Sequence, residues 1–127
     1  MADLTVITLT YNEEVNLADC LMSVKDIAKR IVVCDSFSTD KTVDIAKGFN
    51  ADILTHEFYN YASQYIYAEE TANIDTKWVL RLDADERLTK EAREEIVRII
   101  NENEDTDVSA VDVYYKVRFL GRELKHY

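Results

Sequence analysis

The sequence predicts an α/β fold in which helices flank a mostly parallel sheet. Apolar, β-branched segments of strand length alternate four times with segments whose apolar residues recur at helical spacing. Three of the strand-like segments end in turns that carry carboxylates, and in a parallel sheet such ends lie along one edge. The 127 residues are enough for a single compact domain, and no internal repeat or linker divides them.

The first half of the chain supplies three of the predicted strands. Residues 4–10 and 31–34 are apolar and β-branched, and residues 51–55 repeat this pattern more weakly. The wholly apolar second segment is typical of a parallel strand that helices cover on both faces. We expect a helix after the first strand with Asn12 as its N-cap, and a second helix over about residues 41–47.

The second half is predicted to contain two helices and two strands. Tyrosines recur at helical spacing within residues 59–74, and residues 78–82 form a fourth strand. Residues 89–103 are amphipathic and begin at Thr89, whose side chain is of a type that caps helices. Residues 108–120 alternate well enough to predict a long final strand.

Two carboxylates one residue apart, on Asp83 and Asp85, directly follow the fourth strand. They would repel each other without a partner, and a divalent cation that takes oxygen ligands is a natural one. A metal held here would in turn hold a phosphate-bearing substrate. The alternative is an exposed acidic turn before the last helix, and the spacing leaves both interpretations open. An EF-hand is excluded, because Arg87 and Leu88 stand where that loop needs an oxygen ligand and a glycine.

Carboxylates also follow the first two predicted strands, on Glu13 and Glu14 and on Asp35 and Asp40. Together with the Asp-x-Asp turn they suit a nucleoside diphosphate, whose base and ribose donate hydrogen bonds and whose phosphates a metal neutralises. Helix capping is a strong alternative for three of them and a weaker one for Asp35, which directly follows four apolar residues. The chain has two glycines, so Gly-rich phosphate loops are excluded.

Composition narrows the possible partners. The net charge of −10, from 25 acidic and 15 basic residues, argues against a nucleic-acid partner. No apolar run approaches the roughly 20 residues of a membrane span. The N-terminus has Asp3 and no basic region, which argues against a secretory signal. Cys20 and Cys34 fit buried packing positions better than a disulfide or a metal site, so we expect a reducing cytoplasm.

Residues 8–14, 33–42 and 81–87 carry the turns after the first, second and fourth predicted strands. In wording and in order they are similar to three motifs of the family 2 glycosyltransferases. The chain resembles the N-terminal, donor-binding half of such an enzyme over essentially its whole length, which implies a GT-A fold, Rossmann-like and single-domain. The second and third motifs and residues 119–126 are most similar to the bacterial branch that includes lipopolysaccharide-core β-1,4-glucosyltransferase-like enzymes.

The resemblance also implies roles for individual residues. Tyr11 and Glu13 would line the nucleoside pocket, and Asp35 would accept a hydrogen bond from the uracil of a UDP-sugar or an equivalent base. Asp83 would approach the ribose and the donor sugar. Asp85, with Asp83, would bind Mg²⁺ or Mn²⁺ bridging the diphosphate, which stabilises charge on the leaving group. Family members invert the anomeric centre by direct displacement, with a carboxylate as the base.

Two features depart from that branch. Gln64, Tyr65 and Ile66 stand where Gln-Lys-Asn is usual, so a basic contact near the donor is missing. The second departure is length, because the catalytic base and the acceptor half are expected beyond Tyr127. We therefore interpret residues 1–127 as the donor-binding half of a truncated domain.

The function predicted is transfer of a sugar from a nucleotide-sugar donor, UDP-hexose in the first instance, to a glycan or lipid-linked acceptor of the lipopolysaccharide type. That acceptor would place the enzyme at the inner face of the membrane. Apolar surface exposed by the absent half predicts self-association into a homo-oligomer. The alternative is a non-catalytic nucleotide-sugar-binding module or a degenerate fragment. A sugar-phosphate nucleotidyltransferase fits less well without a Gly-rich basic loop, and a receiver-like domain fits less well without an Asp after the third strand.

Overall fold

The computed structural model describes residues 2–105, 116–119 and 122–125. Strands and helices alternate through the first four strands, as the sequence predicts. The elements in chain order are β1 (Ala2–Thr10), α1 (Leu17–Met22), β2 (Ala28–Asp35), α2 (Thr42–Gly48), β3 (Asp52–Thr55), α3 (Tyr61–Thr71), β4 (Trp78–Arg81), β5 (Glu86–Leu88), α4 (Lys90–Glu102), β6 (Lys116–Phe119) and β7 (Arg122–Lys125). None of the helices within these residues is long and apolar enough to cross a membrane.

The first four strands form a parallel sheet in the order β3-β2-β1-β4. The register aligns the carboxyl ends of three strands, because Thr10 pairs with Asp35 and Asp35 pairs with Thr55. On the other side of β1, β4 ends where Arg81 pairs with Ile7. The turns that follow β1, β2 and β4 therefore leave the sheet along one edge, where ligands bind in open α/β sheets.

A second sheet is antiparallel and has the order β5-β6-β7. Its first strand was not predicted, since three residues are too few to show an alternating pattern. The long strand predicted over residues 108–120 is found as β6 over Lys116–Phe119, and residues 108–115 and 120 lie outside the described residues. The acidic turn after β4 thus leads into a strand before the last helix begins.

Two apolar clusters cover the two faces of the parallel sheet. Alternation along β1 sends Val6 to one face and Ile7 to the other. Helices α1, α2 and α4 pack on the first face, and α3 packs on the second through Tyr65 and Ala68. Both cysteines are buried free thiols, as the sequence predicts. Coverage of both faces explains why residues 31–34 of β2 are all apolar.

Two of the predicted helix starts differ from those in the structure, and one is confirmed. Asn12 is not an N-cap: α1 begins at Leu17, and the Asn12 amide oxygen accepts a hydrogen bond from the Thr39 amide at 2.8 Å instead. The prediction at Thr89 is confirmed, because its hydroxyl accepts from the Ala92 amide at 3.1 Å. Helix α3 is shorter than predicted and is capped by Asn60.

Candidate functional site

The turns after β1 and β2 are joined by hydrogen bonds at the carboxyl edge of the sheet. The amide of Asn12 donates to the Ser38 hydroxyl at 2.8 Å, and the amide of Glu13 donates to the Thr42 hydroxyl at 2.9 Å. The two turns therefore form one unit.

Asp35, at the end of β2, is the buried centre of this unit. Its side chain is 1% exposed. One carboxylate oxygen accepts from the hydroxyls of Thr10 at 2.6 Å and Ser38 at 2.5 Å, and the other accepts from the Ser38 amide at 2.8 Å. The helix-capping alternative for Asp35 is wrong, because every one of these bonds joins it to a strand end or to the turn that follows.

Phe37 lies inside the turn that Asp35 holds and has a left-handed backbone, with φ of 59°. The other non-glycine residues with positive φ in the described part of the chain are Asn12, Asn50 and Asn73. Asparagine tolerates this conformation, whereas phenylalanine pays a steric cost for it. The ring is 63% exposed, so packing does not account for the strained conformation.

An open cavity of about 490 Å³ lies at this edge. Four aromatic residues line it, namely Tyr11, Phe37, Phe58 and Tyr61, together with polar groups that include Glu13. Tyr61, which precedes Tyr65 by one helical turn in α3, is 64% exposed and lines this cavity. A cavity with exposed aromatic walls and a carboxylate suits a flat ring that carries hydrogen-bond donors.

Gln64 supports the cavity from behind. It is buried, and its amide nitrogen donates to the Ser36 hydroxyl at 3.0 Å and to the His56 carbonyl at 3.2 Å. Its amide oxygen lies 2.9 Å from the His56 ring nitrogen. Helix α3 therefore fixes the turns after β2 and β3 through one side chain.

The Asp-x-Asp segment after β4 is a tight turn. The Glu86 amide donates to the Asp83 carbonyl at 2.9 Å, and the Asp83 amide donates to the Glu86 carboxylate at 2.9 Å. Asp83 and Asp85 are half-buried, and Glu86 is buried. The segment differs from a fully exposed acidic turn before a helix, since Asp83 and Asp85 are partly buried and β5 lies between them and α4.

Negative charge is concentrated in this turn. Burial, together with the charges of Asp83 and Asp85, raises the pKa of Glu86 to about 7. The phenol of Tyr65 donates to the Asp83 carboxylate at 3.0 Å, and burial followed by that charge raises the pKa of Tyr65 above its usual range. Such a concentration of carboxylates is a suitable place for a cation.

The donor set here fits a divalent ion that shares its ligands with a substrate. Among the described residues, no three His, Cys, Asp or Glu side chains are placed to hold a metal by themselves. Mg²⁺ is held through one or two carboxylates plus substrate phosphates and water, so Asp83 and Asp85 supply a sufficient protein share.

The structure distributes the predicted site residues over two neighbouring regions. Tyr11 and Glu13 line the cavity, Asp35 lies behind its wall, and Asp83 and Asp85 follow the adjacent strand. Residues of the site that were not predicted from the sequence include Phe37, Phe58, Gln64 and Glu86. The signal available for the two phenylalanines was an aromatic residue in an otherwise polar turn after a strand.

Residues 5–127 match the sequence profile described as Glycosyl transferase family 2. The chain belongs to this family. Among its relatives, an uncharacterized glycosyltransferase of Rickettsia typhi is 38% identical over 121 residues, which are 95% of this chain and 41% of that protein. The glycosyltransferase SunS of Bacillus subtilis is 31% identical over 114 residues, or 89% of this chain and 27% of that one. This family 2 chain thus spans less than half the length of these relatives.

Solved structures support the GT-A fold predicted for this family 2 chain. Staphylococcus aureus TarS superposes with a TM-score of 0.61 and 25% identity, covering 80% of this chain and 33% of that structure. Glucosyl-3-phosphoglycerate synthase of Mycobacterium tuberculosis, solved with Mn²⁺ and UDP, superposes with a TM-score of 0.54 and 19% identity over 67% of this chain and 34% of that one. The prediction of a mostly parallel sheet flanked by helices is confirmed.

Proposed function

We propose that this chain is the donor-binding part of an inverting glycosyltransferase that takes a hexose from UDP and transfers it to a glycan or lipopolysaccharide-type acceptor. One observation carries the proposal. The aromatic cavity that contains Tyr11 and Glu13 lies on the same sheet edge as the turn of Asp83 and Asp85. A nucleoside diphosphate needs both environments, an aromatic one for its base and a cation site for its phosphates.

We assign the nucleoside to the cavity. Tyr11 stacks on the base, and Glu13 accepts hydrogen bonds from the nucleoside. Asp35 is proposed to accept a hydrogen bond from the base N–H, as the family resemblance implies. Its carboxylate lies behind the cavity wall, so direct contact requires the Ser36–Phe37 turn to shift when a nucleotide enters. The left-handed Phe37 marks that turn as strained.

The diphosphate is assigned to the turn after β4. Asp85 and Asp83 would hold Mg²⁺ or Mn²⁺, and Asp83 would also approach the ribose. A divalent ion there supplies positive charge that stabilises the leaving nucleoside diphosphate. The mycobacterial synthase that shares this fold was solved with UDP and either Mg²⁺ or Mn²⁺, which supports this choice of ligand.

The transfer reaction is proposed for the whole protein. Direct displacement at the anomeric carbon needs a base that removes the acceptor proton, and we expect that carboxylate beyond Tyr127. The bacterial lipopolysaccharide-core branch remains our choice for the acceptor class, and such an acceptor places the protein at the inner face of the membrane. The choice of acceptor class rests on the wording of the second and third motifs and of residues 119–126.

The test is calorimetric titration of the chain with UDP, UDP-glucose and GDP in the presence of Mn²⁺ and then of EDTA. We expect UDP to bind with Mn²⁺ and to bind at least tenfold more weakly in EDTA or to Asp85→Ala. Asp75→Ala, which removes an exposed carboxylate, is the matched control and should bind as the wild type does. Binding that ignores both the metal and Asp85 would reject the metal assignment.

A non-catalytic nucleotide-sugar-binding module is the second candidate. The replacement of the usual lysine by Tyr65 favours it, because a cationic contact near the donor is then missing. The two candidates differ in turnover. The whole protein should release UDP from UDP-glucose with an acceptor extract if it is an enzyme, and should bind UDP-glucose without consuming it if it is a module.

A further inference from the structure

Tyr65 links helix α3 to the Asp-x-Asp turn. Its phenol donates to one carboxylate oxygen of Asp83 at 3.0 Å, and the side chain is 7% exposed. The backbone amide of Asp83 also donates a hydrogen bond to the Glu86 carboxylate at 2.9 Å. Asp83 is therefore fixed both at its backbone and at its side chain.

The ring of Tyr65 is itself held in place. The guanidinium carbon of Arg81 lies 5.1 Å from the ring centroid, within the range of a cation–π contact. The Nε atom of Arg81 also donates to Oε1 of Glu69 at 3.0 Å, and Nη2 of Arg81 lies 2.9 Å from the same oxygen. Glu69 is four residues after Tyr65, on the same face of α3. Helix α3 and the end of β4 are thus joined at two points, one of which is Asp83.

This connection has a consequence for the free atoms of Asp83. An ionised carboxylate only accepts hydrogen bonds, and its two oxygens offer about four lone pairs. The phenol occupies one lone pair of Oδ1 and sets the plane of the group, so Oδ2 is turned to a defined direction. A lysine at position 65 would neutralise part of the charge, whereas a neutral phenol leaves it available to a cation.

We propose that Tyr65 is a positioning residue, which orients the Asp83 carboxylate toward the metal-bound diphosphate of the donor. The proposal rests on the proposed function and adds to it a residue that the family resemblance would have placed as a lysine. Without the usual basic contact, binding of the donor diphosphate to the carboxylates would depend more strongly on the divalent ion. A hydrogen bond that orients a metal ligand from behind is the usual way in which proteins tune such sites.

The test compares Tyr65→Phe, which removes one oxygen, with Tyr67→Phe. Tyr67 is half-buried on the same helix and stacks on His56, so its variant is a matched control. Each protein is titrated with UDP in saturating Mn²⁺ and again in EDTA. We expect Tyr65→Phe to weaken the Mn²⁺-dependent binding of UDP by about tenfold or more, as removal of a group behind a metal ligand does. Binding in EDTA should not change, and Tyr67→Phe should behave as the wild type.

The outcomes separate the two proposals. Equal Mn²⁺-dependent affinity of wild type and Tyr65→Phe would overturn the positioning role and leave the proposed function intact. Absence of UDP binding by the wild type would overturn both. A loss that is equal with Mn²⁺ and with EDTA would assign Tyr65 a purely structural role. If Tyr65→Phe does not fold, Arg81→Gln takes its place in the test. Arg81 is exposed, and its replacement releases the Tyr65 ring, so we expect the same selective loss of Mn²⁺-dependent UDP binding. Unchanged UDP binding by Arg81→Gln would reject the proposal.

Discussion

The hydroxyl of Thr10 donates to the carboxylate of Asp35 across 2.6 Å, between the last residues of two neighbouring parallel strands. Both side chains are buried, and Asp35 also accepts two hydrogen bonds from Ser38. A buried carboxylate is stable only when such donors replace its lost water. The ends of β1 and β2 and the turn between β2 and α2 are therefore held together by one charged group.

Removal of this group should destabilise the protein strongly. Asp35→Ala leaves the Thr10 hydroxyl and the Ser38 amide without their acceptor inside the protein, and we expect the free energy of unfolding to fall by at least about 2 kcal/mol. Urea denaturation followed by circular dichroism measures the loss. Asp26→Ala, at an exposed carboxylate, should change stability by less than about 0.5 kcal/mol. Similar losses for the two variants would show that the Asp35 network contributes little.

Replacement of Phe37 by glycine should instead stabilise the folded protein. A side chain in the left-handed region costs roughly 1–2 kcal/mol, and glycine there costs about 0.5–1 kcal/mol in chain entropy. Because the ring is 63% exposed, Phe37→Gly should raise the free energy of unfolding by about 0.5–1 kcal/mol. The same variant should bind UDP at least fivefold more weakly, since stacking of a base on an aromatic ring contributes about 1–3 kcal/mol.

The control for Phe37 is Phe37→Asn, which keeps a side chain that tolerates positive φ and should also be stabilised. Thermal melting measures stability, and titration with UDP measures binding. The base accounts for the loss if ribose 5-diphosphate, which lacks it, binds the variant and the wild type equally. A destabilised Phe37→Gly would mean that the ring packs in the folded protein more than its exposure indicates.

The sequence predicted the parallel sheet well because its signals are local. Residues 31–34 are apolar since both faces of β2 are covered, and the Thr89 hydroxyl caps α4 within four residues of chain. Asp83 and Asp85 were found because their polarity change is abrupt and falls at a strand end. Each of these features is decided by residues close together in the chain.

The contacts that build the site join distant parts of the chain, and no local pattern contains them. Asparagine is a residue type that often caps helices, yet the side chain of Asn12 accepts a hydrogen bond from the amide of Thr39, 27 residues away. Tyr65 and Asp83 are 18 residues apart, and the hydrogen bond between them depends on how α3 packs on the sheet. Helical spacing puts Tyr61 on the same face of α3 as Tyr65, but Tyr65 is buried whereas Tyr61 lines an open cavity at the first turn of the helix. Tertiary packing determines the contacts of all three side chains, Asn12, Tyr61 and Tyr65.

The confirmed cap at Thr89 gives a further prediction. Thr89→Ala removes the acceptor for the Ala92 amide at the start of α4, and we expect a loss of about 1 kcal/mol in the free energy of unfolding. Thr71→Ala, at the exposed last residue of α3, is the matched control and should be nearly neutral. Urea denaturation of both variants decides the matter, and a neutral Thr89→Ala would mean that water caps this helix equally well.

The buried thiol of Cys34 should make stability depend on pH at the alkaline end. Burial, reinforced by the charge of Asp35, raises the pKa of Cys34 to about 11, whereas a thiol in the unfolded chain ionises near pH 8.5. Below that pH the thiol is protonated in both states and its contribution to stability is complete. As the pH rises toward 11, the unfolded state loses its proton while the folded state keeps it, so stability falls.

Cys34→Ser isolates this effect, because a hydroxyl of similar size does not ionise in this range and all other groups are unchanged. Between pH 8.5 and 10.5, the wild type should lose about 2 kcal/mol more of its free energy of unfolding than the variant does. Urea denaturation of both proteins at the two pH values measures the difference. Parallel losses would mean that the Cys34 thiol ionises as readily in the folded protein as in the unfolded one, and that the carboxyl end of β2 admits solvent beside Asp35.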